Sequence, residues 1–351
     1  MKKGRQSLNM KKRSSVLLTL LLALTVALAA CGDSESSGQE EGTGDSEDSD
    51  DSIVLQLGHG AQESHPLQDA SEEFADIVAE ETDGAVQVDV YGNTQLGEER
   101  EMIEGLQLGT VDLTIVDTAP VTGFASELGV VNLPFLFSSS EHAHEVLDGE
   151  IGQDLLGQLE DSGIVGLSFM ENGWRHLSVD NQITGPEDLS GLNIRTMENQ
   201  VHMAAFEAMG ASPVPMEWGE VYTGLQQGTI DGQENPVPIV YTNNLWEVQD
   251  YYALTGHFYS PYVFAMSEAS MDELTEEQKQ VIWEAAEEVT QYQRELIAEM
   301  EEEQLELLEE EGMEVYDVDR DAFQEATQSV YEEYEDEFGA DLIQQILDMG
   351  E

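Results

Sequence analysis

The sequence predicts an α/β protein with two similar lobes and a long helix that crosses both. Three observations support this fold class. From residue 52 onward, segments with strand and helix patterns alternate, which favours a sheet covered by helices. A segment at 105–112 recurs at 224–231, and residues 276–311 contain neither proline nor glycine.

The first unit alternates strands with helices. Apolar residues in 66–84 recur at helical spacing up to Asp83-Gly84, whereas residues 85–92 alternate as a strand does. The predicted order is strand 52–60, helix 66–84, strand 85–92, helix 98–109 and strand 110–117, followed by an apolar segment at 130–137, helices near 140–161 and a strand at 163–170.

The second unit begins with a predicted strand at 191–197. It continues with a helix at 201–210, an extended piece at 212–217 and a helix at 218–228. The repeated segments, "GLQLGTVD" and "GLQQGTID", each end a helix on a glycine that can take the left-handed cap conformation, and each then leads into a strand. The repeat indicates two similar lobes. The alternative is chance similarity of a common helix-glycine-strand motif.

The region after residue 274 is mostly helical. Thr275 and Gln278 form the pattern of a capping box, and a helix of the length that follows would span roughly 50 Å. Such a helix is either a coiled-coil arm or a backbone shared by two lobes. Glu303 interrupts the apolar seam that a coiled coil requires, so a shared backbone is favoured.

Residues 1–30 have the pattern of a signal peptide. Six basic residues precede an apolar stretch at 16–28, which is too short to span a membrane and is followed by Ala29-Ala30-Cys31. This ending resembles a bacterial lipobox, which implies cleavage before Cys31 and attachment of lipid to its sulfur. The alternative is an ordinary signal peptide with an incidental cysteine. Translation could start at Met1 or at Met10.

Cys31 is the single cysteine of the sequence. Once it is lipidated, the mature chain would have no disulfide and no cysteine-based metal or redox site. Residues 31–52 are then expected to form an acidic disordered tether, because 32–52 contain no hydrophobic side chain with which to build a core. The acids of this stretch lack the glycine spacing of a calcium loop, so we expect no calcium site there. We expect no other metal site and no cofactor.

The charge balance limits the classes of partner. The formal net charge is −62, and after the predicted signal six basic residues stand against 74 acidic ones. This excess argues against nucleic acid or an anionic membrane face as partners, so membrane contact is expected through the lipid anchor alone. It also suggests a halophilic acidic surface that works in high salt. The six basic residues are Arg100, Arg175, Arg195, Lys279, Arg294 and Arg320.

Five stretches carry a family resemblance. They are "QLGEEREMIEGLQLGTVDL" (95–113), "ENGWRHLS" (171–178), "LSGLNIRTMEN" (189–199), "MGASPVPMEWGEVYTGLQQGTIDGQENP" (209–236) and "LWEVQDYYALTGH" (245–257). With them, residues from about 53 to 345 resemble the solute-binding subunits of tripartite ATP-independent periplasmic (TRAP) transporters, of the C4-dicarboxylate-binding type.

The resemblance implies a periplasmic-binding-protein-like fold with a ligand cleft between two lobes and a long helix crossing both. It implies a non-enzymatic, extracytoplasmic protein that binds one small organic acid anion and delivers it to TRAP membrane permease subunits driven by an ion gradient. Lobe I would comprise 53–171 and about 259–300, and lobe II would comprise 172–258 and about 301–345.

The resemblance assigns the ligand carboxylate to two positions. Arg195 matches the arginine that grips the carboxylate, a role for which a planar, permanently charged guanidinium is suited. Asn235 matches an amide donor to the same carboxylate, in a loop stiffened by Pro236, and this accounts for the "GQENP" that follows only the second repeat. The alternatives are a structural ion pair for Arg195 and an asparagine that caps its own turn for Asn235.

The remaining matched positions would surround the rest of the ligand. Arg175 would contact the ligand's carboxylate or hydroxyl end, with a structural ion pair as the alternative. Trp218 would cover the ligand's carbon skeleton, with core packing as the alternative. Glu99, Asp117 and Asn199 would contact hydroxyls or lie near the mouth, although Glu99 and Asp117 could also be solvated acids. His59, Asn172 and His176 lie beside matched positions, where a histidine is usually a hydrogen-bonded structural residue.

Two other function classes remain open at this point. A lipid-anchored binding protein of an ATP-driven importer would have the same lobes, and a neighbouring gene for a permease without an ATPase would separate the two. A secreted hydrolase needs only two carboxylates, although no His-Glu-x-x-His, Gly-x-Ser-x-Gly or phosphate-loop motif is present.

The ligand itself stays open among dicarboxylates, uronates, aldonates, keto acids and sialic-type sugars, because each of these acids offers a carboxylate. "RTMEN" and Trp218 favour a sugar acid over a four-carbon dicarboxylate. The sequence also leaves open the coupling ion and the oligomeric state.

Overall fold

The computed structural model describes residues 52–350, which form a mixed α/β structure around one nine-stranded sheet. The predicted signal peptide, Cys31 and all but the last residue of the predicted tether lie outside the described residues. Within 52–350, no helix combines the length and apolarity that a membrane crossing requires.

The elements up to residue 179 follow the predicted alternation. They are β1 (Ile53–His59), α1 (Pro66–Glu81), β2 (Val86–Tyr91), α2 (Glu99–Leu108), β3 (Leu113–Asp117), α3 (Thr118–Val121), a 3₁₀ helix (Ser126–Asn132), α4 (Ser140–Asp148), α5 (Glu150–Gly157), a second 3₁₀ helix (Gln158–Ser162) and β4 (Ile164–Val179).

The elements from residue 186 onward begin with the second unit and end in helices. They are a 3₁₀ helix (Pro186–Leu189), β5 (Asn193–Thr196), α6 (Gln200–Ala208), β6 (Ser212–Pro215), α7 (Trp218–Gln226), β7 (Gly232–Asn235), α8 (Val237–Thr242), a 3₁₀ helix (Leu245–Glu247), β8 (Tyr251–Ser267), α9 (Glu268–Asp272), α10 (Glu276–Glu311), β9 (Glu314–Asp317), α11 (Arg320–Ala326), α12 (Gln328–Phe338) and α13 (Ala340–Met349).

The sheet joins two parallel groups of strands through a long antiparallel pair. Its order is β2-β1-β3-β8-β4-β7-β5-β6, and β9 pairs with β8. In the first group β1 runs parallel to β2 and β3, and in the second β5 runs parallel to β6 and β7. The 16-residue β4 and the 17-residue β8 pair along almost their whole length, so they belong to both halves.

The two copies of the repeat adopt the same local structure. Gly109 and Gly228 have φ of 65° and 67°, the left-handed conformation that favours glycine. A Cβ on Gly105 would lie 2.6 Å from Val111, and one on Gly224 would lie 3.3 Å from the corresponding isoleucine, because the helix approaches the following segment closely at both places. The left-handed glycine cap predicted from the repeat is therefore present in both copies.

The aspartate that ends each copy has a matching role that the sequence did not indicate. Asp112 accepts a hydrogen bond from the backbone N–H of Gln56 at 2.8 Å, and Asp231 accepts one from the backbone N–H of Asn193, also at 2.8 Å. Each carboxylate thus fixes the neighbouring parallel strand of its own half. This shared function favours two similar halves over chance similarity.

The long helix α10 packs against both halves, as predicted. Its first turns contact α1 and β4 through Ile282 and Val289, and its last turns contact α8 and β9 through Leu308. Between these ends, the Gln293 side chain bonds both the N–H and the C=O of Glu171 in β4. The proposed lobe boundaries near 171, 258 and 300 fall inside β4, β8 and α10, the three elements that the halves share.

The structure differs from the sequence analysis in the bounds of two predicted strands and in one long strand that was missed. The strand predicted at 163–170 continues to Val179, and the segment 110–112, predicted as the start of a strand, is a bend that precedes β3. The 17-residue β8 was not predicted at all, because it is buried on both faces and shows no alternation. Its Gly256 and Pro261 also interrupt a strand pattern.

Candidate ligand-binding cleft

A cleft lies where the two parallel groups of strands face each other across β4 and β8. It holds about 480 Å³ of space, part of which is open to solvent. Asp117 and Asn235 are the last residues of β3 and β7, and Arg195 is the penultimate residue of β5. The carboxyl ends of parallel strands are where α/β proteins bind ligands. The lining residues are Gly60, Ala61, Thr94, Glu98, Glu99, Asp117, Asn172, Arg175, Arg195, Met197, Trp218, Asn235, Ile239 and Tyr262.

Arg195 is buried in this cleft without an anionic partner. Its side chain is 3% exposed, and its Nε donates a hydrogen bond of 2.9 Å to the carbonyl oxygen of Met216. Within residues 52–350 no carboxylate oxygen lies within ion-pair distance of the guanidinium. Burial lowers the pKa of Arg195 to about 10, so the group is still charged at neutral pH. The guanidinium carbon lies 5.6 Å from the centre of the Trp218 ring, which supports it from one side.

The other described basic side chains are compensated or exposed. Arg100, Arg175, Lys279 and Arg294 form ion pairs with acidic residues, and Arg320 is exposed and donates to backbone carbonyl oxygens. A buried charge normally has a partner, because its removal from water is costly. Among the described residues, Arg195 is thus a buried cation that forms no ion pair, although the charges of Glu234, Glu99 and Glu217 act on it from a greater distance.

Arg175 also lines the cleft, but Glu234 compensates its charge. Its Nε and Nη2 donate to the two carboxylate oxygens of Glu234 at 2.5 and 2.8 Å, and Nη1 lies 3.4 Å from Asp117. Burial alone would raise the pKa of Glu234, but the Arg175 charge and its hydrogen bonds hold that pKa far below its usual value. The ion pair that the sequence left as an alternative for Arg175 is present.

Another part of the cleft lining is rich in hydrogen-bond acceptors. The Asp117 carboxylate accepts bonds from the amide of Asn172, at 3.2 Å, and from the hydroxyl of Ser260. The buried Oδ1 of Asn172 has no partner among the described residues. Glu99 is half-buried and accepts from the backbone N–H of Asp117 at 3.0 Å. Burial and the nearby Asp117 charge raise the pKa of Glu99 to about 7.

Asn235 and Trp218 line the cleft as predicted, and Asn199 lies elsewhere. Asn235 is 4% exposed and donates from Nδ2 to Gln233. Asn199 caps α6, accepting from the N–H of His202 at 2.9 Å, while its Nδ2 donates to the carbonyl oxygen of Ala119 at 3.1 Å. Since α3 and α6 belong to different halves, Asn199 joins the halves beside the cleft rather than lining it.

The two histidines named from the sequence have structural partners outside the cleft lining. Nε2 of His59 lies 3.0 Å from Gln68, and Nδ1 of His176 accepts from the backbone N–H of Gly256 at 2.9 Å. Burial lowers their pKa values to about 4 and about 3 respectively. Both histidines are therefore neutral and hydrogen-bonded, the alternative that the sequence favoured.

Several residues that line the cleft, or that bind its lining residues, were not named from the sequence. Glu234 had a signal, since it is the acid that directly precedes Asn235 in the second repeat's extension. Tyr262 had none, because it lies on the unpredicted β8. The others are Gly60, Ala61, Thr94, Glu98, Met197 and Ile239.

Residues 57–337 match the sequence model of the family described as bacterial extracellular solute-binding protein, family 7, or DctP. This chain belongs to that family. Its relatives include a solute-binding protein of Verminephrobacter eiseniae, 43% identical over 64% of this chain and 68% of the relative. The 2,3-diketo-L-gulonate-binding periplasmic protein of Escherichia coli is 36% identical over 67% of this chain and 72% of the relative.

Crystal structures of TRAP solute-binding proteins have the same fold. One from a Polaromonas species, bound to D-erythronate, has a TM-score of 0.83 and 39% identity, and the match covers 84% of this chain and 98% of that one. Another from Sulfurospirillum deleyianum, bound to succinate, has a TM-score of 0.81 and 32% identity, covering 84% and 98%.

These matches confirm the family resemblance and the two-lobed α/β fold. The DctP family consists of extracytoplasmic solute-binding proteins of TRAP transporters, which carry solutes rather than transform them. The importer driven by ATP and the secreted hydrolase are accordingly not favoured.

Proposed function

We propose that this DctP-family protein captures a small organic acid by seating the acid's carboxylate on Arg195, and that it delivers the acid to a TRAP permease. The observation that carries the proposal is the buried, unpaired guanidinium at the strand ends. Two Nη groups that make no hydrogen bond to the described residues match the two oxygens of a carboxylate. The relatives bound to D-erythronate, galactonate and D-glucuronate support an acid of this class.

The neighbouring residues complete the proposed site. Asn235 retains a second amide hydrogen beyond the one given to Gln233, and this hydrogen can reach a ligand oxygen. Trp218 stacks near Arg195 and offers a flat apolar face to a carbon skeleton. Arg175 can add a contact to the ligand through Nη1, whose bonds to Asp117 and Ser260 are long, at 3.4 and 3.3 Å. The ion pair with Glu234 holds the Arg175 side chain in place.

The test is a thermal-shift screen followed by titration calorimetry in molar salt. The probes are D-erythronate, D-galactonate, D-glucuronate, pantoate and succinate, because a ligand that binds the folded state raises the melting temperature. Arg195→Lys should weaken binding of the acids that stabilise the wild type by roughly ten- to a hundredfold, since one charge-assisted hydrogen bond is worth about 1.5–3 kcal/mol. Arg195→Ala should weaken it further.

Arg320→Lys is the matched control, because Arg320 is exposed and contacts Thr255 and Gly256 instead of the cleft. Its affinity should equal that of the wild type. Wild-type affinity in Arg195→Lys, or a lower melting temperature without loss of affinity, would remove the carboxylate clamp from this assignment.

We also propose that the protein is held at the outer face of the cell membrane through lipid on Cys31. The support is the signal and lipobox pattern at residues 1–31, which lie outside the described residues. Wild-type protein should fractionate with membranes, and Cys31→Ser protein should be released or left unprocessed. Normal cleavage and membrane association of the Cys31→Ser protein would refute the anchor.

A further inference from the structure

We infer that this cleft selects acids with one carboxylate and a hydroxylated far end, and that it rejects dicarboxylates. The inference rests on the proposed clamp at Arg195 and goes beyond it by assigning the acidic wall of the cleft, formed by Glu98, Glu99, Asp117 and Asn172. It names Asp117, Glu99 and Asn172 as the residues that determine specificity.

The cleft has one positive charge to offer. Arg195 forms no ion pair with the described residues, whereas Arg175 is paired with both oxygens of Glu234 and also faces Asp117. Lysine is absent from the cleft lining, and the histidines His202 and His257 behind it are buried with lowered pKa values. A ligand that brings a second carboxylate therefore finds no second free cation there.

The acidic wall of the cleft repels negative charge. Glu98, Glu99 and Asp117 all line the cleft, and at the short distances inside it like charges interact strongly because little water screens them. Burial first, and then the nearby Asp117 charge, raise the pKa of Glu99 to about 7, so an ionised carboxylate is disfavoured here both by the loss of water and by a neighbouring negative charge. A second carboxylate on the ligand would meet the same resistance.

The same wall needs hydrogen-bond donors. The Oδ1 of Asn172 is buried without a partner, on a side chain that is 3% exposed, and a buried unpaired acceptor is costly. The Asp117 and Glu99 carboxylates are acceptors as well when ionised. A ligand hydroxyl supplies the missing proton, whereas a carboxylate supplies none. The wall thus fits the hydroxyl groups of an aldonate or similar hydroxy acid.

The test compares acids that differ only at the far end. D-erythronate and meso-tartrate share four carbons and two inner hydroxyls. The terminal hydroxymethyl group of D-erythronate is replaced by a second carboxylate in meso-tartrate. D-galactonate and galactarate form the same kind of pair. By calorimetry in molar salt, the monoacid of a pair should bind at least about tenfold more tightly than its diacid.

Glu99→Gln keeps the acceptor for the Asp117 N–H and removes the charge, so the preference for the monoacid should fall at least about threefold. Glu288→Gln, on the exposed face of α10, removes the same charge far from the cleft and should leave the preference unchanged. An unchanged preference in Glu99→Gln would overturn the role of Glu99.

The inference and the clamp fail differently. Diacids that bind as tightly as their monoacids would overturn the inference even if Arg195→Ala abolishes binding. If neither D-erythronate nor D-galactonate binds, the inference is overturned as well. The clamp at Arg195 can then still be tested with succinate from the acid screen. Binding of all acids unaffected by Arg195→Ala would instead overturn the clamp.

Discussion

The ion pair between Arg175 and Glu234 makes a sharp prediction about stability. In Glu234→Gln, the amide can still accept one hydrogen bond from Arg175, but the negative charge that compensates the guanidinium is gone. Both side chains are at most 1% exposed, so water cannot replace the lost partner. The unliganded protein should therefore lose much of its free energy of unfolding.

The magnitude follows from the geometry. Removal of one partner of a buried ion pair costs about 3–5 kcal/mol. Asp117 Oδ2 remains 3.4 Å from Nη1 of Arg175 and compensates part of the charge, so we expect the lower end, about 3 kcal/mol. Adding Arg175→Met to Glu234→Gln removes the stranded cation, and this double variant should recover part of the loss.

The pH dependence gives a second readout of the same pair. The pKa of Glu234 in the folded protein lies far below the usual 4.5, so its stabilising contribution is complete above pH 4.5 and is lost as the pH falls below that value. The difference in free energy of unfolding between wild type and Glu234→Gln should thus be constant from about pH 6 to 8 and shrink in acid.

The assay is urea-induced unfolding at constant salt for the wild type, both single variants and the double variant. A loss below about 1 kcal/mol in Glu234→Gln would refute the reasoning, since that value is typical of an exposed pair. It would mean that the Arg175 charge is accessible, and the charge count behind the rejection of dicarboxylates would no longer hold.

Two further predictions concern Glu99 and Asn199. The pKa of Glu99 is raised to about 7 in the folded protein, so the free energy of unfolding of the wild type should fall as the pH rises from about 4.5 to 7. Glu99→Gln should not show this fall. The melting temperature of the unliganded variant should therefore exceed the wild-type value by more at pH 8 than at pH 5. Equal differences at both pH values would contradict the assignment. Asn199→Asp keeps the α6 cap but cannot donate to Ala119, so the ligand should dissociate about three- to tenfold faster with association little changed, as measured by stopped-flow tryptophan fluorescence. An unchanged dissociation rate would show that this contact does not hold the halves closed.

Local patterns made much of this structure predictable. Glycine caps, strand alternation and the capping box at Thr275 depend on neighbours in sequence, and the structure contains all three. The 17-residue β8 depends on burial between β3 and β4, which no local pattern records. Strands buried on both faces lose the alternation that identifies strands on a half-exposed sheet.

The site was predictable to a similar degree. Arg195 and Asn235 could be found because each lies in a motif whose chemistry requires that residue type. The partner of Arg175 could not, since 74 acidic residues offered candidates and only the pairing of β4 with β7 selects Glu234. Asn199 was assigned to the mouth of the cleft, but its amide is used in a contact between α3 and α6, which sequence spacing does not reveal.

The sharing of β4, β8 and α10 between the halves limits how this protein can change in evolution. An exchange of one half between two relatives would cut all three elements, and the hybrid would have to rebuild a paired strand and a packed helix in the middle of each. Neither half is therefore a module that recombination can transfer intact. We therefore expect new ligand preferences in such a chain to arise by substitutions at single positions along the shared elements and the strand ends.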